Sequence, residues 1–179
     1  MRLLLLLLFT CTASMAQEFN VSLSGLVSKK DPAKNYVVAS FSGVSADSLY
    51  AKVSAYMETK YSGAAVVAET EENKSINYSI QDAAVSTIKK NGAEVTYYTS
   101  YNMLLDFKDG KIRIAFSNVK IYTVNESKEK KDYAYNSFWN TEGKVVDPNT
   151  KRIVEDYYNA SVKAMIRDLK GDNDRSADW

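Results

Sequence analysis

The stretch LLDFKDGKIRIAF, Leu104 to Phe116, constrains the fold more than any other part of the chain. Apolar residues alternate on both sides of Asp109-Gly110, the pattern of two antiparallel strands joined by a two-residue turn. An Asp-Gly pair suits a type I′ turn, in which both residues take positive φ. The register follows: Lys108 opposes Lys111, Phe107 opposes Ile112, Asp106 opposes Arg113, Leu105 opposes Ile114 and Met103 opposes Phe116. The apolar pairs share one side, and the Asp106–Arg113 pair on the other is worth about 0.2–1 kcal/mol. A chain patterned in this way is committed to antiparallel sheet with one buried face.

The alternation reaches well beyond the turn. From Ala93 to Lys108, Val95, Tyr97, Thr99, Tyr101, Met103, Leu105 and Phe107 share a face, in a run far longer than the usual five or six residues. Such a strand is expected to bend. After Ser117 the parity slips, and a bulge near Ser117-Asn118 would return Val119 and Ile121 to the apolar face while curving the sheet. Upstream, Tyr36–Phe41 alternates as a first strand, and Ala64–Thr70 and Ile76–Ile80 read as strands flanking a turn at Glu71-Glu72-Asn73. Asp82–Lys90 has no clear period, and Asn91-Gly92 marks a second turn.

Two segments carry helical spacing instead. Leu49, Val53, Tyr56, Met57 and Tyr61 recur at three and four over residues 46–61, with Ser45 as N-cap, Asp47 in the first turn and Gly63 as the stop. Asp147-Pro148 opens a second helix that runs to about Lys170, with Val154, Tyr158, Val162, Met165 and Leu169 on one stripe and Gly171 ending it. Between sheet and helix, Asn125–Lys131 is a charge run read as a solvated loop, and Tyr133–Gly143 as a short irregular hairpin.

The expected architecture is α+β: a β-α-β4-α order in which a curved antiparallel sheet packs against two helices. It occupies 36–170 as a single domain, with 17–35 a flexible leader and 171–179 a disordered tail.

The first sixteen residues, MRLLLLLLFTCTASMA, stand apart from this pattern. One Arg, an apolar run from Leu3 to Phe9 and the small-x-small Ser14-Met15-Ala16 read as a secretory signal peptide, too short to cross ~30 Å of hydrocarbon. Cleavage between Ala16 and Gln17 would send the chain to the periplasm or cell envelope of a Gram-negative bacterium. A competing reading makes Cys11 a lipid-bearing residue and so anchors the chain to a membrane, but Thr10 is a poor residue before a lipidated cysteine. Lys and Arg number 23 against 22 Asp and Glu, and loss of Arg2 with the leader makes them equal. A chain without a basic field is not expected to bind nucleic acid.

Ser48-Leu49-Tyr50 opening the first helix, the turn Phe107-Lys108-Asp109-Gly110-Lys111-Ile112-Arg113 and the element order from Tyr36 to Thr123 carry a likeness. In these features the chain resembles a family of exported bacterial proteins of unknown function with a TATA-binding-protein-like (TBP-like) fold. The resemblance implies that fold and export, and brings no activity. A shared fold implies nothing about DNA.

Chemistry is thin. The chain has no His, and its one Cys lies in the leader, which excludes zinc sites built on sulfur or imidazole after cleavage. No cofactor motif is present. Ser-x-x-Lys occurs at Ser86/Lys89, Ser117/Lys120 and Ser127/Lys130, without the partner motifs of penicillin-recognising enzymes. Glu69, Glu71 and Glu72 cluster at a turn, and Asp172, Asp174, Ser176 and Asp178 alternate without the glycine and terminal glutamate of a calcium loop. No catalytic residue is therefore assigned. Thirteen tyrosines rise above background, and Tyr97, Tyr101 and Tyr122 on the central strands are candidates to line a cleft under the C-terminal helix, against the plainer expectation that they fill the core. The expected function is a non-enzymatic envelope module that binds a protein or a small apolar ligand. A hydrolase using a Ser-Lys or carboxylate site, or a structural envelope component, is the alternative.

Overall fold

A computed structural model describes residues 17–61, 67–90, 92–125 and 129–171. The leader Met1–Ala16 and the tail beyond Gly171 lie outside the described residues, as do Gly63 and Ser127. The main sheet is formed by β3 (Tyr36–Ser40), β4 (Val67–Glu71), β5 (Ser75–Lys90), β6 (Ala93–Lys108), β7 (Lys111–Val124) and the short β8 (Lys130–Asp132). Its order is β3-β7-β6-β5-β4, with β8 pairing the far end of β7, and every pairing is antiparallel. One face is covered by α1 (Ala46–Lys60) and α2 (Pro148–Lys170), and the core lies between.

The β6–β7 register is the one dictated by alternation, from Lys108↔Lys111 to Met103↔Phe116. Phe107, Ile112, Leu105, Ile114 and Phe116 all point into the core, while Arg113 and Asp106 pair on the outer face at 2.7 Å. A register shift follows, in which Ser100 faces Lys120 but Asn102 faces Ser117, with Asn118 at φ 51°. That is the bulge expected from the slipped parity, and it brings Ile121 into the core.

The turn itself differs from expectation. Gly110 has φ 71°, whereas positive φ among the described non-glycine residues is confined to Asn73, Asp82 and Asn118. Asp109 therefore keeps an ordinary φ, and the turn is not type I′. Docking explains this. Asp109 Oδ1 accepts from the Ala46 amide at the start of α1 at 2.9 Å. The Gly110 amide donates to Val44 O, and Gly110 O accepts from the Phe41 amide. The loop before α1 holds the hairpin tip and overrides the local preference of Asp-Gly.

Both helices open, and α2 ends, as their sequences dictate. Ser45 accepts from the Ser48 amide, Asp147 from the Thr150 amide, Pro148 occupies the first turn of α2, and Gly171 ends it at φ 74°. Among the described residues no helix is long and apolar enough to cross a membrane.

One region corrects the reading of the sequence and another completes it. Residues 17–35 do not form a flexible leader: β1 (Phe19–Ser22) and β2 (Gly25–Ser28) make a hairpin whose Phe19, Val21 and Leu26 belong to the main core. The hairpin is tied to α2. Phe19 N–H donates to Asn159 Oδ1 at 2.7 Å, and Asn159 Nδ2 donates back to Phe19 O at 3.0 Å. Val21 N–H donates to Glu155 Oε1. One amide side chain thus plays the part of a neighbouring strand. Second, Asp82–Lys90, whose pattern left its structure open, continues β5, with register shifts at Ile80/Ala83 and Ala84/Ser86 that scramble its period. The segment after β8 carries a 3-10 turn at Tyr135–Phe138 and a bridge between Trp139 and Val145.

Candidate ligand-binding cleft

The buried stripes of α1 and α2 face the sheet, and the neighbouring stripe of each helix faces the other helix. On α1 the buried Leu49, Val53 and Met57 are flanked by Tyr56 and Lys60; on α2 the buried Val154, Tyr158, Val162 and Met165 are flanked by Ile153, Tyr157, Ala160 and Ala164. Residues one position off a buried helical stripe turn about 100° from it. Ala160, Ser161 and Ala164 are too small to fill the gap. The result is an open cleft of about 540 Å³, floored by Val85 and Ser86 of β5 and Met103 of β6. The size suits a small organic ligand, and Met57, Met103 and Met165 give it an adaptable apolar lining.

Three phenol groups meet at its wall. Tyr101 Oη lies 3.4 Å from Tyr61 Oη and 3.3 Å from Tyr157 Oη. Tyr61 and Tyr157 line the cleft, and Tyr101, 1% exposed, stands behind them. Burial pushes the Tyr101 phenol far above its ordinary pKa, reinforced by the two neighbouring tyrosines, and burial also raises Tyr157. Both remain protonated donors at neutral pH. Lys60 and Asp156 sit on opposite helices along the lining.

The three tyrosines singled out by sequence do not form a site together. Tyr97 and Tyr101 are core residues. Tyr97 Oη accepts from Thr150 Oγ1 at 3.5 Å, its ring meets Tyr133 edge-on, and Tyr101 packs against Phe116 and Tyr158. Tyr122 is buried on the opposite face of the sheet, because the bulge at Asn118 returns Ile121 rather than Tyr122 to the main core. There its ring stacks on Tyr98 at 5.5 Å and its hydroxyl donates to Asp82 Oδ1. Lys130 sits 4.7 Å from the Tyr122 ring centre and 3.6 Å from Asp82. The Tyr122 hydrogen bond holds the Asp82 carboxyl below its usual pKa, aided by Lys130; burial, then Asp82, raises Tyr122. This cluster pins Asp82, at φ 52°, to β7 across β6, where Asp82 N–H also donates to Ser100 Oγ. None of these three tyrosines lines the cleft between the helices. What sequence reasoning missed was the flank of α2, whose only signal is the small residues Ala160, Ser161 and Ala164 beside a long apolar stripe.

The other motifs are dispersed. Ser86 lines the cleft, but Lys89, three residues along a regularly paired strand, points to the other face. The bulge brings Ser117 and Lys120 to the same outer face, opposite Asn102 and Ser100. Glu71 pairs with Lys74 at 2.5 Å, and Glu69 accepts from Asn77 at 3.4 Å, both on the exposed surface. No group of three acidic, His or Cys side chains is placed to hold a metal ion among the described residues.

A bent antiparallel sheet carrying two helices on one face defines a TBP-like α+β domain. Residues 36–122 match the model of the family described as a domain of unknown function (DUF4468) with TBP-like fold. A crystal structure of a DUF4468 family protein from Bacteroides ovatus is similar with a TM-score of 0.54 and 14% identity, covering 79% of this chain and 90% of that one. A TBP-like protein from Parabacteroides distasonis gives a TM-score of 0.54 at 15% identity, covering 76% of this chain and 90% of that one. At such identities the likeness is one of fold. No curated protein matches the sequence.

Proposed function

We propose that this chain is an exported, non-enzymatic binding module of the cell envelope that holds a small apolar ligand between α1 and α2. The observation that carries the reading is the cleft of about 540 Å³ with an apolar floor and hydroxyls on its wall. Ala160 and Ala164 leave the space open where larger side chains would close it, and its lining of methionines and aromatic rings offers apolar contact to a bound molecule. Export is supported by the composition of Met1–Ala16, with Gln17 as the new N-terminus.

Thermal-shift screening of apolar compounds, followed by native mass spectrometry, tests the binding. Ligands should stabilise the wild type and lose their effect in Ala164→Trp, which fills the cleft. Stabilisation that persists in that variant, or a screen without a single stabilising compound, overturns the reading. Labelling of Ser86 or Ser117 by serine-directed hydrolase probes would overturn the non-enzymatic assignment. A mature N-terminus other than Gln17, or acyl label on Cys11, would overturn soluble export.

A further inference from the structure

The hydroxyls on the cleft wall can be counted proton by proton. Tyr101 is buried and its phenol has two oxygen neighbours, Tyr61 and Tyr157. A buried hydroxyl proton is expected to be used in a hydrogen bond. Tyr101 therefore donates to one neighbour and accepts from the other. Two bonds consume two of the three protons. The third belongs to the neighbour that accepts from Tyr101, and both neighbours line the cleft. Whichever way the chain runs, the wall presents one hydroxyl proton that no described residue accepts, a surplus donor to whatever fills the space.

Charge does not direct the choice of ligand in the same way. Lys60 on α1 and Asp156 on α2 oppose one another in sign, so the lining carries no net charge. An ionic head group of either sign would meet one attracting and one repelling side chain and would lose hydration over the apolar floor, so charge gives neither sign a net advantage.

We propose that the cleft selects an uncharged apolar molecule bearing one carbonyl-type acceptor, held by the donor left over from the Tyr61–Tyr101–Tyr157 hydroxyl chain. The inference rests on the cleft being a binding site and adds the class of molecule it takes. It has an unusual consequence for mutation. Tyr61→Phe leaves Tyr101 donating to Tyr157, whose proton stays free. Tyr157→Phe leaves the mirror arrangement through Tyr61. Each single variant keeps a surplus donor on the wall, and only the double variant removes it.

The test uses two probes of one skeleton, butyrophenone and butylbenzene, which differ by a carbonyl. Binding is followed through the methyl resonances of Ala160 and Ala164, which report occupancy of the cleft itself. The ketone should bind wild type about five- to tenfold more tightly than the hydrocarbon, the scale of one net hydrogen bond. Each single Phe variant should stay within about twofold, and the double variant should bind both probes alike. Butylbenzene should bind all four proteins equally, which also shows that the variants are folded. If both probes bind equally to wild type, or a single variant abolishes the preference, acceptor selection is overturned while the cleft stands as a binding site. If neither probe perturbs Ala160 or Ala164, the binding reading fails with it.

Discussion

Asn159→Ala is the sharpest test of how the N-terminal hairpin is held. Asn159 makes a reciprocal pair with the Phe19 backbone, at 2.7 and 3.0 Å, across 140 residues of sequence. A net contribution of about 0.5–1.5 kcal/mol per hydrogen bond puts the loss near 2 kcal/mol. The side chain is half-buried, so water can solvate part of the abandoned backbone and the upper end of that range is not expected. Because Phe19, Val21 and Leu26 share a core with the main sheet, the hairpin should unfold with the domain rather than peel away. Urea denaturation should then show one transition with a lowered midpoint and an unchanged slope. In a thermal scan the melting point should fall by about 4–8 °C, given ~2–4 °C per kcal/mol for a chain of this size. Amide exchange at Phe19 and Val21 should track global stability. A midpoint equal to wild type, or rapid exchange at both amides in the unmutated protein, would refute the claim that this segment is integral to the fold.

Two further outcomes follow from the same geometry. Gly110→Ala should destabilise by about 1–2 kcal/mol, since φ 71° is strained for any side chain while the Phe41 carbonyl at 3.5 Å is only an ordinary contact; unchanged chemical stability would contradict it. The Glu18 carboxyl is held at about 2, from 4.5, chiefly by its hydrogen bond to Lys163 and then by Lys29. A depressed carboxyl contributes stability that is full above its unfolded pKa and is lost as pH falls from about 4.5 through about 2, so Glu18→Gln should flatten the acid limb of the stability profile in that window, and an unaltered acid limb would count against the ion pairs.

The elements legible in the sequence are those whose patterns answer only to local geometry. Alternation between Ala93 and Phe116 set strand bounds, register and buried face, because a side-chain period of two leaves no freedom once one face is apolar. The slip in parity after Ser117 announced the bulge. Asp147-Pro148 and Gly171 marked both ends of α2, because helix ends must satisfy their own backbone groups.

What tertiary structure decided lay where distant segments meet. Phe19 and Val21 alternate, but two four-residue strands cannot stand alone, and the partner that secures them, Asn159, is not readable from strand patterns. The shape of the Asp109-Gly110 turn was chosen by the loop before α1, which captures both residues. Tyr122 is the exception: the same bulge that sends Ile121 inward turns Tyr122 outward, so the parity slip after Ser117 already argued against it as a cleft residue. The cleft is the extreme case: no stretch of sequence encodes an empty volume, which exists only because Ala160 and Ala164 on one helix face Tyr56 and Lys60 on another. Local patterns specify how a chain folds upon itself over a few residues, while cavities and contacts between helices depend on the summed placement of the whole chain.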